Sequence, residues 1–316
     1  MKLIVDTDAG IDDAIALLML LAQPDLQLLA ISSVAGNVSL LQATQNIKTI
    51  LDITNAPATP IYQGCARPLL RYAALDAMDI HGDDGLGGAG RTDSPRPVES
   101  EPASLALLRL ARQYTGRLTL LTLGPLTNIA VAIRLDPTFL THFDRIVMMA
   151  GAVDVRGNTS AAAEFNIVVD PEAAHIVFDA CHRTGVMVQL ISWEATLAHP
   201  LTPETWAEII EGDSPVARMA QTMTVFLNER RAEYNEPHIL WPDPLAAAIV
   251  CRPEIILSQE ARSIKVETGH TLTRGQTLVD YRRRPDKPPN TQIIREVDGQ
   301  QFRDLLKMAV HNFDGF

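Results

Sequence analysis

Cysteine is scarce in this sequence. Cys65, Cys181 and Cys251 are isolated, odd in number and without zinc-ligand spacing, which argues against a disulfide framework and for plain core thiols in a reducing compartment. Positive charge is scarce as well: 27 basic residues face 38 acidic ones, for a net charge of −11 and a pI near 5.2. Without a basic stripe, a nucleic-acid partner is not expected. The one basic cluster, Arg282-Arg283-Arg284, stands beside Pro285 and Pro288 and reads as a solvated loop. Long hydrophobic runs are missing too. The longest near the start is broken by Gln23-Pro24-Asp25, too short to span a membrane. The first residues pass straight into a strand, without a basic n-region or a cleavage site. A soluble, cytoplasmic protein with no membrane partner is expected.

What is present suits a large core: 316 residues, 47% of them hydrophobic. Strand-like and helix-like segments alternate, the signature of an α/β fold with a mostly parallel, open, Rossmann-like sheet covered by helices on both faces. Strands are expected at Leu3–Val5, Leu26–Val34, Pro60–Tyr62, Leu118–Leu123, Arg145–Met149 and Val186–Ile191. Ser39, Asp170-Pro171, Thr202-Pro203 and Ser214-Pro215 open helices by cap and proline chemistry. Residues 64–101 read as irregular, and a stretch that long is usually functional or disordered. The last quarter reads as short antiparallel strands (Ser263–Glu267, Thr277–Tyr281, Gln292–Glu296) and a closing helix, a small C-terminal addition. No repeat or low-complexity linker interrupts the chain, so residues 1–316 are expected to form a single domain.

The chain is organised around its opening, MKLIVDTDAGIDD. An apolar strand runs into Asp6-Thr7-Asp8, a turn at Ala9-Gly10, then Asp12-Asp13 and a helix apolar on nearly every face. Asp6, Asp8, Asp12 and Asp13 therefore gather at the carboxyl end of a strand, where open α/β sheets bind ligands. Helix capping explains one or two such carboxylates. Four within eight residues repel one another unless a cation sits among them, and oxygen-only ligands select a hard divalent ion. Asn37, Thr122, Asn158, Glu164, Asn166 and Asp243 fall at other strand ends or helix starts along the same rim. Singly these are ordinary turn residues; together they outline an oxygen-lined pocket for a metal and a polyhydroxylated ligand.

The opening VDTDAGIDDA resembles the signature of the nucleoside hydrolases, the inosine-uridine preferring ribohydrolases. IHGDDGLGG at 80–88, LGPLTNIA at 123–130 and AEFNIVVDPEAA at 163–174 resemble the family's later motifs, in the same order. The resemblance implies hydrolysis of the N-glycosidic bond of ribonucleosides to base and ribose, with one bound Ca²⁺. Carried over by motif position, the Ca²⁺ ligands are Asp8, Asp13, the Leu123 carbonyl and Asp243, an all-oxygen set. Asp8 is then the general base, Asp12, Asn158, Glu164 and Asn166 hold the ribose hydroxyls, and Asn37 lies near the water. Asp6 takes a supporting place. A homo-oligomer, dimer or tetramer, is expected.

The base side departs from that pattern. Where many members carry a histidine directly before the last calcium aspartate, this chain has Pro242, preceded by Trp241. Ser192-Trp193-Glu194 replaces a second family segment. His81 becomes the candidate leaving-group acid and Trp241 a candidate stacking residue, although an indole there is equally well explained as core packing. Tyr234 and His238 are further candidates. Two other readings compete: a catalytically impaired calcium- or nucleoside-binding protein, and an Asp-x-Asp phosphohydrolase of the haloacid-dehalogenase kind. The latter needs a downstream lysine, and Lys48, the only lysine between Lys2 and Lys265, falls mid-helix.

Overall fold

The computed structural model describes residues 1–70, 75–91, 94–154 and 156–313. Its strands are β1 (Lys2–Thr7), β2 (Gln27–Ser33), β3 (Ile61–Gln63), β4 (Leu118–Thr122), β5 (Arg145–Met149), β6 (Val188–Ile191), β7 (Ile256–Arg262), β8 (Ile264–Val266), β9 (Thr277–Val279) and β10 (Thr291–Val297). Eight form one sheet in the order β3-β2-β1-β4-β5-β6-β10-β7, and β8 pairs with β9 alone. Neighbours are parallel throughout the large sheet except β7, which runs antiparallel to β10. Between β1 and β4 the order of the connections reverses, which opens a crevice at the carboxyl ends of those two strands.

Alternation along the strands explains the two helical layers. Leu3 and Val5 of β1 face one core and Ile4 the other, as do Val147 and Met149 against Ile146 and Met148 of β5. The helices Ile11–Leu21, Leu40–Ile53, Pro242–Cys251 and Gly299–His311 cover the first face; Ala103–Gln113, Thr127–Leu135 and Pro171–Thr184 cover the second. The first helix packs against both Pro242–Cys251 and the C-terminal helix, so it is buried on nearly every side. This matches its uniformly apolar sequence. Ser39, Thr202 and Ser214 cap their helices as expected. No helix among the described residues is long and apolar enough to cross a membrane.

The last quarter differs from the sequence reading. Among the described residues, only β8 and β9 form a separate antiparallel pair. Gln292–Glu296 belongs to β10, which enters the main sheet parallel to β6 and antiparallel to β7. The sequence reading gives no strand at β7, and the reason is physical. An edge strand needs no apolar stripe, and ILSQEAR is half-exposed or exposed along its whole length. Residues 64–101 are also more ordered than their composition indicates: Met78–His81 forms a helical turn. Asp84 accepts from the N–H groups of Leu86, Gly88 and Gly90 at 2.9–3.0 Å, which folds the glycine-rich loop around one carboxylate.

Candidate active site

The turn after β1 builds the floor of the site. Ala9 takes a left-handed φ of 49°, costly for a residue with a Cβ. Asn46 helps to hold it there, donating to the Ala9 carbonyl at 2.9 Å and to the Asp84 carbonyl at 2.8 Å. Gly36 passes so close that a Cβ would fall on the Asp8 carboxylate. Asp8, Asp13, Asn37 and His81 are thereby crowded against one turn.

The carboxylates are held unequally. Asp13 accepts from the Thr7 hydroxyl, the Gly10 N–H at 2.8 Å and the Asn37 amide at 3.0 Å. Asp8 accepts the Asn37 N–H at 2.7 Å through one oxygen, while its Oδ1 is buried without a partner, as is Oδ1 of Asp12. Asp12, Asp13 and Asp243 each offer an oxygen within 4.8 Å of the others. Asp6 is held by the Ser32 hydroxyl and by the Asn128 amide at 2.8 Å. Burial is the largest cause of every shift: it pushes Asp12 and Asp13 up to about 6 and Asp6 up to about 7. Asp8 and Asp243 lie well above the carboxylate range, by burial and by the neighbouring aspartates. A cluster this buried, with three orphaned oxygens (Oδ2 of Asp6 and Oδ1 of Asp8 and Asp12) and, among the described residues, no lysine or arginine bonded to it, has a donor set compatible with a metal cation. The residues fit such a group.

Three further predicted residues come from the chain after β5. Glu164 caps the short helix Phe165–Val169, accepting the Asn166 N–H at 2.8 Å, and also takes the Gly151 N–H at 2.7 Å. Burial pushes its carboxyl up to about 7. Asn166 donates to the Leu123 carbonyl at 2.8 Å and the Met149 carbonyl at 3.1 Å, joining the ends of β4 and β5. Asn158 is exposed and accepts the Phe165 N–H at 2.9 Å.

Asp12, Asn37, Leu123, Asn158, Glu164, Asn166 and Asp243 line a cavity of about 570 Å³ together with His81, Trp193, Tyr234, His238 and Trp241, whereas Asp8 and Asp13 are not among its lining residues. His81 accepts the Ile11 N–H at Nδ1, 3.1 Å away. Trp241 is almost wholly buried and packs on Trp206 at a centroid distance of 4.5 Å with a 52° tilt. Glu194 is occupied, accepting the N–H groups of Val153 and Asp154, whereas Trp193 lines the cavity. Tyr234 ends the long helix Pro215–Tyr234 and donates to Asp79 at 3.2 Å. Sequence reasoning missed Asn46 and Asn128, which fix Ala9 and Asp6. It also missed Arg230 and Arg231 of the cavity wall, for which an arginine pair beside Tyr234 was the only signal.

A doubly wound α/β sheet with a carboxylate-lined pocket at its switch point has the form of a small-molecule site. The chain belongs to the inosine-uridine preferring nucleoside hydrolase family, whose profile matches residues 3–304. It is 34% identical to the inosine-uridine preferring nucleoside hydrolase of Leishmania major over 96% of both chains. It is 33% identical to the pyrimidine-specific ribonucleoside hydrolase RihA of Salmonella gallinarum over 97% of both. The solved purine-preferring ribonucleoside hydrolase from Gardnerella vaginalis superposes with a TM-score of 0.88 at 29% identity, covering 99% of each chain. The protein is a ribonucleoside N-ribohydrolase.

Proposed function

We propose that the protein hydrolyses ribonucleosides in a Ca²⁺-dependent reaction with Asp8 as the general base. The observation that carries this reading is the buried, unpartnered Oδ1 of Asp8, a neighbour of Asp12 and Asp13, whose own oxygens converge with one of Asp243. Asp8, Asp13, Asp243 and the Leu123 carbonyl would hold the ion, and Asn166 leaves that carbonyl a second lone pair. When bound, the ion supplies charge that lowers the pKa of a water and anchors vicinal hydroxyls.

The chain's own groups do the rest. Asp8 takes the proton of the attacking water at Oδ1, with Asn37 fixing its other oxygen. Asp12, Asn158, Glu164 and Asn166 bind the sugar, and their oxygens stabilise the positive charge that grows on the ribose as the N-glycosidic bond breaks. His81 donates a hydrogen bond from Nε2 to the departing base. Trp241 backs this end of the cavity through its contact with Trp206 and contributes shape more than stacking.

The names of the relatives span inosine, uridine, pyrimidine and purine substrates, so the same reading covers either base class, releasing free base for salvage. Residues 1–316 are taken as one domain acting in the cytoplasm as a homo-oligomer. A panel of ribonucleosides assayed by kcat/KM with and without chelator, on protein of known elemental content, tests the proposal. Activity that survives chelation, or active protein carrying zinc instead of calcium, contradicts it.

A further inference from the structure

We infer that a second cavity of about 570 Å³, between the β8–β9 pair and the loop that follows it, binds a small phosphate-bearing anion at the Ser263 hydroxyl, between Lys265 and Lys287. The cavity lies outside the nucleoside pocket and shares no lining residue with it.

The argument starts from Ser263, which is buried and has its Oγ 3.0 Å from Nε2 of His182. The other ring nitrogen faces the side-chain amide nitrogen of Asn290 at 3.3 Å. That amide nitrogen also donates to the carbonyls of Phe178 and Ile264. A ring nitrogen turned towards an NH₂ group carries no proton, so the imidazole proton sits on Nε2 and is donated to Ser263. Ser263 is therefore an acceptor towards His182, and its own O–H is free to donate into the cavity. This polarity also excludes an activated serine nucleophile, which needs the imidazole as acceptor.

The charges point the same way. Lys265 has no carboxylate partner among the described residues, and Lys287 reaches only Asp179, at 3.5 Å, a carboxylate that Arg183 already holds at 2.9 Å. Asp280 and Asp286, the acidic residues of the lining, are both engaged by Arg282, at 2.7 and 2.8 Å. Lys265 and Lys287 line the same cavity as Ser263, and burial and then Lys287 lower the pKa of His182 against the opposing pull of Asp179. Lys265, Arg282 and Lys287 against Asp280 and Asp286 leave the lining one positive charge in excess, and the two ammonium groups and one hydroxyl donor make it a three-point site on a chain of net charge −11. A phosphomonoester dianion matches two cations and a neutral donor, and the walls of Leu278 and Val279 leave room for a small organic group.

The test is calorimetric titration of the intact protein with methyl phosphate near neutral pH, beside succinate as a carboxylate of equal charge. Saturable binding of methyl phosphate is expected, tighter than succinate. Lys265→Met and Ser263→Ala are each expected to weaken it about tenfold, the loss typical of a charge-assisted hydrogen bond, while Lys307→Met leaves it unchanged. Nucleoside hydrolysis by these variants reports that they are folded. Absence of saturable binding, wild-type affinity in either cavity variant, or tighter binding of succinate overturns the assignment.

Discussion

The backbone N–H of Ile11 donates to Nδ1 of His81 at 3.1 Å, tying the first turn of the first helix to a side chain 70 positions away. Nδ1 is thus an acceptor and Nε2 carries the ring proton. Burial pushes the pKa of His81 down to about 4, against the pull of Asp13 and Asp79.

A neutral imidazole follows from that bond, and in the proposed mechanism it polarises the leaving base without giving up a full proton. His81→Ala is expected to slow natural nucleosides by about a hundredfold, the size of a lost preorganised donor. A nitrophenyl riboside, whose leaving group needs no help, is expected to lose far less. Wild-type kcat/KM should show no limb at the ordinary imidazole value of 6.5 that vanishes in this variant. Equal slowing of both substrates would reduce His81 to a prop for the Ile11 turn.

The aspartate cluster predicts an unusual pH dependence for metal-depleted protein. Folded-state values are raised, to about 6 for Asp12 and Asp13 and about 7 for Asp6 and Glu164. The associated stability is complete below the unfolded values and is lost as pH rises through the folded ones. His81 acts oppositely, with stability present above 6.5 and lost as pH falls through about 4. Chelated protein is therefore expected to have a higher Tm at about pH 5 than at about pH 8, with Ca²⁺ restoring the loss at the higher value. Asp13→Ala should abolish both the Ca²⁺ response and the activity. Thermal unfolding at the two pH values, with and without chelator, decides it.

Sugar recognition gives a third expectation. Asp12, Glu164 and Asn166 line the cavity and are the groups proposed to hold the ribose. Removing the 2′-hydroxyl leaves some of them unpaired, so kcat/KM for 2′-deoxyinosine is expected to fall at least about a thousandfold below that for inosine. Comparable values for the two nucleosides would contradict the proposed sugar site.

Gly36 supplies a fourth. A Cβ there falls on the Asp8 carboxylate, so Gly36→Ala should turn that side chain without disturbing the distant core. Activity is expected to drop by about a hundredfold or more, as when a catalytic group is displaced by an ångström. Circular dichroism should remain native. Wild-type kcat in this variant would show that the orientation of Asp8 is unimportant.

Much of the fold and the floor of the site was legible because local chemistry determined them. Leu3-Ile4-Val5 is a strand buried on both faces, the first helix is apolar all round, and the motif aspartates follow from chain direction alone. The sequence did not reveal what depends on distant partners. Asn46 looks like any helix-face amide until Ala9 and the Asp84 loop are packed on it. Glu194 reads from sequence either as a pocket residue or as a strand cap, and its carboxylate is taken up by the N–H groups of Val153 and Asp154. Trp241 was balanced between stacking and packing, and its contact with Trp206 weighs towards packing. The edge strand β7 carries no hydrophobic period to detect.

The position of β10 bears on how the chain comes into being. This strand lies between β6 and β7, yet it is the last of the three to leave the ribosome. Until residues 291–297 emerge, β6 has no parallel neighbour on that side and its backbone donors and acceptors stand open. Such an edge invites pairing with another nascent chain. Completion of the sheet is thus a late, long-range step in synthesis, and translation halted between β7 and β10 leaves an adhesive intermediate.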